Sequence, residues 1–180
     1  MKCVRNRTWS VFAVLIVLSL AAPAIAQQSP PERAAVAING KKITIDYSAP
    51  SVRGRKIFGS NGLISRDPTY PVWRAGANNA TALHTDAALD INGLTVPKGD
   101  YTMWVEIDSN PWKLVINKQT GQWGLEYHQD RDLGRVAMNM SKPASPVEML
   151  KITLSSEGGN KGQLQVAWDT VVASVPFTVK

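Results

Sequence analysis

The sequence predicts an all-β protein, a single-domain antiparallel β-sandwich of about ten short strands with one long ordered excursion. Three observations support this fold class. Apolar and polar residues alternate with a period of two over most of the chain, as in half-buried strands. Clusters of Gly, Pro, Asn and Asp separate these stretches. After residue 26, no stretch has the sustained periodicity of an amphipathic helix.

The first 26 residues have the pattern of a cleaved signal peptide. Lys2, Arg5 and Arg7 form a basic start. Residues 9–22 are apolar but short for a membrane span, and Ala24-Ile25-Ala26 is a small-residue cleavage sequence. The alternative is an uncleaved anchor, which the polar residues that follow at once disfavour. We therefore expect a periplasmic or secreted protein with no stable membrane span after cleavage.

The rest of the chain divides into a short linker, residues 27–33, and a β-sandwich domain, residues 34–180. Without the first 26 residues, 17 basic residues stand against 14 acidic ones, a net charge of +3. This modest charge indicates no nucleic-acid partner. The single cysteine, Cys3, belongs to the signal peptide, so the exported chain has no disulfide and no thiolate metal site. No cofactor is indicated, and the oligomeric state stays open.

The individual strands follow from local patterns in chain order. Val36 and Ile38 alternate before Asn39-Gly40, a strong two-residue hairpin turn, and residues 43–47 continue the alternation on the return strand. Because Pro176 lacks the N–H that a strand ladder uses, we expect the last strand to be a sheet edge or to bulge there. The further predicted strands cover residues 83–85, 89–91, 101–107, 114–116, 136–140, 150–154, 164–168 and 171–179.

Residues 49–78 interrupt this regular pattern. A segment of about 30 residues without clear strands is uncommon in a compact domain, and such segments are functional or disordered. Its apolar side chains argue against disorder, because they need burial. We expect an ordered excursion that folds against the sandwich. The apolar residues in question are Ile57, Phe58, Leu63, Ile64, Val72 and Trp73.

The excursion is also rich in arginine. The planar guanidinium suits carboxylates, phosphates and sulfates, and it stacks on aromatic rings. One interpretation is a shallow pocket for a small anionic or carbohydrate ligand, with Arg74 as a bidentate donor, Trp73 as a stacking face and Asn78 as an orienting amide. The candidate ligand-binding residues are Arg53, Arg55, Trp73, Arg74 and Asn78.

These features have a structural alternative. The arginines could bond loop carbonyls or pair with one of three acids, Asp46, Asp67 and Asp86. Four further tryptophans could form a sugar-stacking platform, but tryptophans at strand positions are more often core residues. They are Trp104, Trp112, Trp123 and Trp168. With all these residues in structural roles, the excursion caps one end of the sandwich, and the protein is a structural or interaction domain.

His84 is the weak candidate for catalysis. It lies in an alternating strand, facing opposite to Leu83 and Thr85, and could serve a hydrolase or isomerase as a general base with a nearby carboxylate. His128 lies in a polar loop, and neither histidine has a second ligand at metal-binding spacing, so no metal site is expected. The sequence contains no nucleophile elbow, zinc-binding helix motif or phosphate-cradling loop.

Seven short motifs follow one another in order: YSAP at 47–50, RGRKIFG at 53–59, WRAGAN at 73–78, NG at 92–93, PKGDY at 97–101, WKLVINK at 112–118 and QWG at 122–124. Together they resemble the exported bacterial family of unknown function DUF2911. The resemblance implies an exported, β-rich, periplasmic domain without an assigned activity. The chain departs from the family pattern at Asn79, where typical members carry an acidic residue that could pair with Arg74.

Together, these observations favour a non-enzymatic binding domain for a small anionic or carbohydrate ligand. A hydrolase or isomerase using His84, and a structural or interaction domain, are the alternatives. The sequence leaves open whether Trp73 and Arg74 face a solvent-connected pocket or the core.

Overall fold

Thirteen strands form two antiparallel sheets in a computed structural model, which describes residues 28–180 and confirms the all-β sandwich. The predicted signal peptide and Cys3 lie outside the described residues. Within residues 28–180, no helix is long and apolar enough to cross a membrane. The strands are β1 (Pro31–Ile38), β2 (Lys41–Ser48), β3 (Val72–Trp73), β4 (Thr81–Thr85), β5 (Leu89–Ile91), β6 (Leu94–Val96), β7 (Gly99–Glu106), β8 (Lys113–Asn117), β9 (Asp132–Ala137), β10 (Asn139–Ser141), β11 (Val147–Gly158), β12 (Lys161–Asp169) and β13 (Val171–Val179), with 3₁₀ turns at Ile64–Arg66 and Gln129–Arg131.

The two sheets enclose one main core. The first has the strand order β1-β2-β4-β7-β8-β9, with β3 also paired to β7. The second has the order β11-β12-β13-β5-β6, with β10 also paired to β13. Their inward faces meet through buried side chains such as Ile45, Leu83 and Leu114 from the first sheet and Val166 and Val175 from the second.

The β1–β2 hairpin has the turn that its sequence predicts. Ile38 pairs with Lys41, which leaves Asn39 and Gly40 as a two-residue loop. Both have positive φ angles, 50° and 73°. A type I′ turn requires this conformation at both central positions, and Asn-Gly adopts it at the lowest steric cost.

The predicted linker, residues 27–33, extends too far. Strand β1 begins at Pro31, so residues 31–33 already belong to the sandwich. Because Glu32 and Arg33 are charged and exposed on an edge strand, the hydropathy pattern does not indicate a strand at these positions. The contacts of this part of β1 are made with another strand. Arg33 lies opposite Asp46 of β2 and donates two side-chain hydrogen bonds to it.

The prediction of an edge or a bulge at Pro176 is wrong. Strand β13 lies inside its sheet, and Pro176 pairs in regular register with Gln163 of β12. On the other side, β10 pairs with residues 172–174 and β5 with residues 177–179. Pro176 falls in the gap between these two neighbours, so the ladder does not need the N–H that proline lacks.

The excursion, residues 49–78, is ordered and packs into the core, as the sequence predicts. The side chains of Ile57 and Trp73 are almost fully buried. Phe58 contacts three tryptophan rings, those of Trp73, Trp112 and Trp168, at centroid distances of 6.1, 4.9 and 5.8 Å. Because Trp168 belongs to β12 and Trp112 directly precedes β8, this aromatic cluster joins the excursion to both sheets.

The outer face of the first sheet is partly covered, which the sequence does not predict. Trp104 on this face is fully buried, and the Tyr127 ring lies 5.0 Å from it, centroid to centroid. Val72, Ala80 and Val115 complete this second apolar cluster. The segment of residues 118–131, which carries Tyr127, therefore acts as a third layer over β7 and β8.

Candidate ligand-binding site

A cavity of about 320 Å³ lies between the excursion and residues 121–125 (GQWGL). Small-molecule sites in proteins usually have volumes in this range and mostly apolar walls. The apolar lining includes Pro50, Leu63, Pro68 and Leu125, and the charged lining residues are Arg66, Asp67 and Arg74.

Arg74 is the central charged group of this cavity. Its Nη1 donates hydrogen bonds to Asp67 Oδ2 at 2.8 Å and to the Gly124 carbonyl at 3.2 Å. The Arg74 side chain is 16% exposed and that of Asp67 9%. Arg74 Nε is buried and has no partner among the described residues. Since Asp67 is the carboxylate partner, this ion pair does not depend on an acid at Asn79.

The path of the Arg74 side chain requires a glycine at position 124. A Cβ on Gly124 would lie 2.0 Å from Arg74 Cδ and 2.4 Å from the Asn78 carbonyl oxygen. The Gly124 N–H donates to that same carbonyl at 3.0 Å. No local sequence pattern marks Gly124 as a site residue, because it lies 50 positions from Arg74.

Trp73 offers no open stacking face in this conformation, contrary to the expectation from the sequence. Its side chain is only 1% exposed, and its ring stacks on Trp168 at 5.6 Å with an interplanar angle of 19°. The indole N–H donates to the Gly76 carbonyl at 3.2 Å. Trp73 lines one wall of the cavity, but β3 pairs it with Val105 of β7, and the side chain joins the main core.

The other predicted ligand-binding residues do not line this cavity. Arg55 donates to two carbonyls of its own turn at 2.6 and 3.0 Å. The Arg53 backbone N–H donates to Glu148 Oε1 at 2.9 Å. Both arginines line a smaller cavity of about 210 Å³. Asn78 has a positive φ angle, and its Nδ2 donates to Ser48 Oγ at 3.3 Å. The five residues are therefore not assembled around one site.

His84 lies between two carboxylates on the outer face of the first sheet. Its Nδ1 is 2.6 Å from Asp100 Oδ1, and its Nε2 is 3.1 Å from Asp86 Oδ1. These hydrogen bonds, that of Asp100 first, raise the pKa of His84. With both ring nitrogens engaged, neither is open to a substrate proton, and the arrangement is that of an ion pair. No three His, Cys, Asp or Glu side chains of residues 28–180 form a metal-binding group.

A second polar network holds the covering segment on the outer face. Glu106 accepts hydrogen bonds from Lys113, at 3.0 Å, and from Arg135. Arg135 and Tyr127 donate to Asp132 at 2.9 and 2.7 Å. Burial and the hydrogen bond to Asp132 raise the pKa of Tyr127. No local sequence pattern predicts this network, in which Glu106 and Lys113 lie directly opposite each other on adjacent strands.

The fold and the site define a β-sandwich in which one irregular segment builds a small cavity around a paired arginine. A family model described as protein of unknown function (DUF2911) matches residues 29–177. The chain belongs to this family, which confirms the resemblance carried by its motifs. No curated protein and no solved structure matches the chain.

Proposed function

We propose that this protein is a non-enzymatic binding domain for a small organic anion with an apolar body, held in the cavity beside Arg74. The observation that carries the proposal is an arginine side chain, 16% exposed, in the lining of a largely apolar cavity. A few polar groups in apolar walls orient a ligand while the walls supply affinity. We further propose that binding takes place in the periplasm or outside the cell, after export.

The charges of the cavity favour an anion. Arg66 and Arg74 stand against Asp67, which leaves one positive charge in excess. Asp67 and the Gly124 carbonyl engage only Nη1 of Arg74. A guanidinium carries five N–H donors, so Nη2 remains for a ligand carboxylate. Asp67 thus orients Arg74 without exhausting its donors.

The apolar walls favour a ligand with a short aliphatic or aromatic body. Pro50, Leu63, Pro68 and Leu125 border the space beside the guanidinium. Each buried CH₂ group of a ligand contributes about 0.8 kcal/mol. A monocarboxylate of six to eight carbons would combine both features, and about 320 Å³ accommodates it. We propose no catalysis at His84, because both of its ring nitrogens are engaged.

Thermal-shift and calorimetric titrations with hexanoate, benzoate and octanoate test the proposal. We expect at least one acid to raise the melting temperature, since a ligand at about 100 times its Kd stabilises by about 2.7 kcal/mol. Leu125→Asp places a negative charge on the exposed wall of the cavity and should abolish the effect. Arg66→Gln should weaken it.

Met149→Asp is the matched control, because Met149 is similarly exposed and lies outside this cavity. It should bind the acid as the unmodified chain does. The proposal fails if none of the three acids stabilises the protein, or if Met149→Asp loses binding as completely as Leu125→Asp.

A further inference from the structure

We propose a second site, for a neutral carbohydrate, at a cavity beside Trp123. This cavity has a volume of about 270 Å³, and its lining includes Asp46, Ser48, Asn79 and Gln122. It shares no lining residue with the Arg74 cavity. Residues 121–125 contribute to both, since Gly121 and Gln122 line this cavity and Leu125 lines the other.

Trp123 directly follows Gly121 and Gln122, which line this cavity, and its aromatic side chain is exposed. Its exposed fraction is 47%, whereas Trp73, Trp104 and Trp168 are buried and Trp112 packs against the core. Trp123 and Asn79 form an isolated antiparallel bridge. Directly opposed residues of an antiparallel pair project their side chains on the same face, with Cβ atoms about 5 Å apart. The indole therefore stands beside Asn79 at the edge of the cavity.

The polar groups of the cavity match hydroxyl groups. Ser48 Oγ accepts a hydrogen bond from Asn78 at 3.3 Å, so its own O–H can donate into the cavity. Asn79 adds an exposed amide, which offers both a donor and an acceptor. A hydroxyl group likewise donates and accepts, so a sugar can bond to each of these groups.

Gln122 adds an unsatisfied acceptor at the same place. Its side chain is largely buried, because the residue is only 7% exposed. Its Nε2 donates to Thr102 Oγ1 at 3.1 Å, and its Oε1 has no partner among residues 28–180. A buried carbonyl without a donor is unfavourable. A ligand hydroxyl that shifts the loop slightly and reaches this oxygen would remove that penalty.

The charges of the cavity favour a neutral ligand. Among residues 28–180, the only charged residue that lines it is Asp46, so the cavity offers no cationic side chain to an anion. Arg33 already donates two hydrogen bonds to that carboxylate, so Asp46 has little remaining attraction for a cationic ligand. An apolar stacking face beside uncharged donors and acceptors fits a sugar ring, whose C–H face packs on the indole while its hydroxyls reach the amides.

Isothermal titration calorimetry with cellohexaose, maltohexaose and hexa-N-acetylchitohexaose tests this site. We expect at least one of the three to bind with a Kd of about 1 mM or tighter. Trp123→Ala should weaken that binding by about tenfold or more, while Trp123→Tyr retains most of it because an aromatic face remains. Asn79→Ala should cause a smaller loss.

Leu125→Ala is the matched control, since Leu125 is also exposed on the same segment but lines the Arg74 cavity. It should leave carbohydrate binding unchanged, as should the Leu125→Asp variant that tests the anion site. The proposal is overturned if none of the three oligosaccharides binds, or if Trp123→Ala binds as tightly as the unmodified chain. Neither result bears on the organic-anion proposal, which depends on other residues.

Discussion

Arg74 and His84 lie ten positions apart, and each pairs with carboxylates, but in different surroundings. Arg74 has one carboxylate partner, Asp67, and both side chains are largely buried in the excursion. His84 has two partners, Asp86 and Asp100, on an open sheet face where its side chain is 42% exposed. Water therefore screens the His84 pairs more than the Arg74 pair. We therefore expect burial, rather than the number of partners, to determine how much each ion pair contributes to the free energy of unfolding.

The Glu106–Arg135 pair is intermediate in burial between the Arg74 pair and the His84 pairs. Its side chains are more buried than those around His84, and the network includes a second carboxylate and a lysine. Four substitutions test whether the effect on stability follows burial, from the largest expected effect to the smallest.

Asp67→Asn should have the largest effect. It keeps the shape of the side chain but leaves the Arg74 charge uncompensated in a mostly buried place, which should destabilise the fold by about 3 kcal/mol in urea unfolding. Asp130→Asn removes the partner of Arg131 in an exposed pair and should cost less than about 0.5 kcal/mol. Equal losses in both variants would contradict the role given to burial.

Gly124→Ala should destabilise by about 2 kcal/mol, because the added methyl group overlaps with Arg74 and with the Asn78 carbonyl. It perturbs the buried pair without removing a charge, so it separates packing from electrostatics. Glu126→Ala, an exposed change in the same segment, should stay within about 0.5 kcal/mol. If Gly124→Ala is as stable as the wild type in urea unfolding, the Arg74 side chain can take another path.

Glu106→Gln should cost about 1.5 kcal/mol near neutral pH, since it weakens hydrogen bonds to two cations. Burial works to raise the pKa of Glu106, but Lys113 and Arg135 outweigh it and hold the pKa below its ordinary value of 4.5. The stabilisation is therefore present above about pH 4.5 and is lost as the pH falls through the lowered pKa. The difference in unfolding free energy between Glu106→Gln and wild type should become smaller at acidic pH. A difference that does not change with pH would contradict the lowered pKa of Glu106.

His84→Asn should have the smallest effect, less than about 1 kcal/mol, because the pair is exposed. Since the pKa of His84 is raised above its ordinary value of 6.5, its stabilisation is complete below about pH 6.5 and is lost as the pH rises through the raised pKa. Melting curves from pH 5.5 to 9 should show a difference that shrinks with rising pH. A difference that grows with pH would contradict a raised pKa at His84.

Local sequence patterns predicted most of the fold. Asn39-Gly40 specifies its turn through backbone angles that few other residue pairs tolerate, so the first hairpin is readable without tertiary information. The alternation of Ile43, Ile45 and Tyr47 likewise marks the inward face of β2. The start of β1 and the place of Pro176 in its sheet were not predictable in this way, because both depend on which strands lie alongside.

The candidate site was predictable only in outline. The sequence marked the excursion and its arginines, and it named Asp67 only as one of three possible partners for them. It could not separate Trp123, which is exposed, from Trp104 and Trp168, which are buried. Exposure depends on whether another segment of the chain covers the ring, and no local pattern reports that.

The sequence by itself thus determined the fold class, the family, the hairpin turn and the existence of an ordered excursion, because these follow from periodicity, turn chemistry and motif order over neighbouring residues. Only the tertiary structure decided that Trp73 faces the core, that Arg74 passes over Gly124, and that Trp123 is exposed beside Asn79. Each of these depends on contacts between residues far apart in the chain, and no local pattern encodes the distance between them.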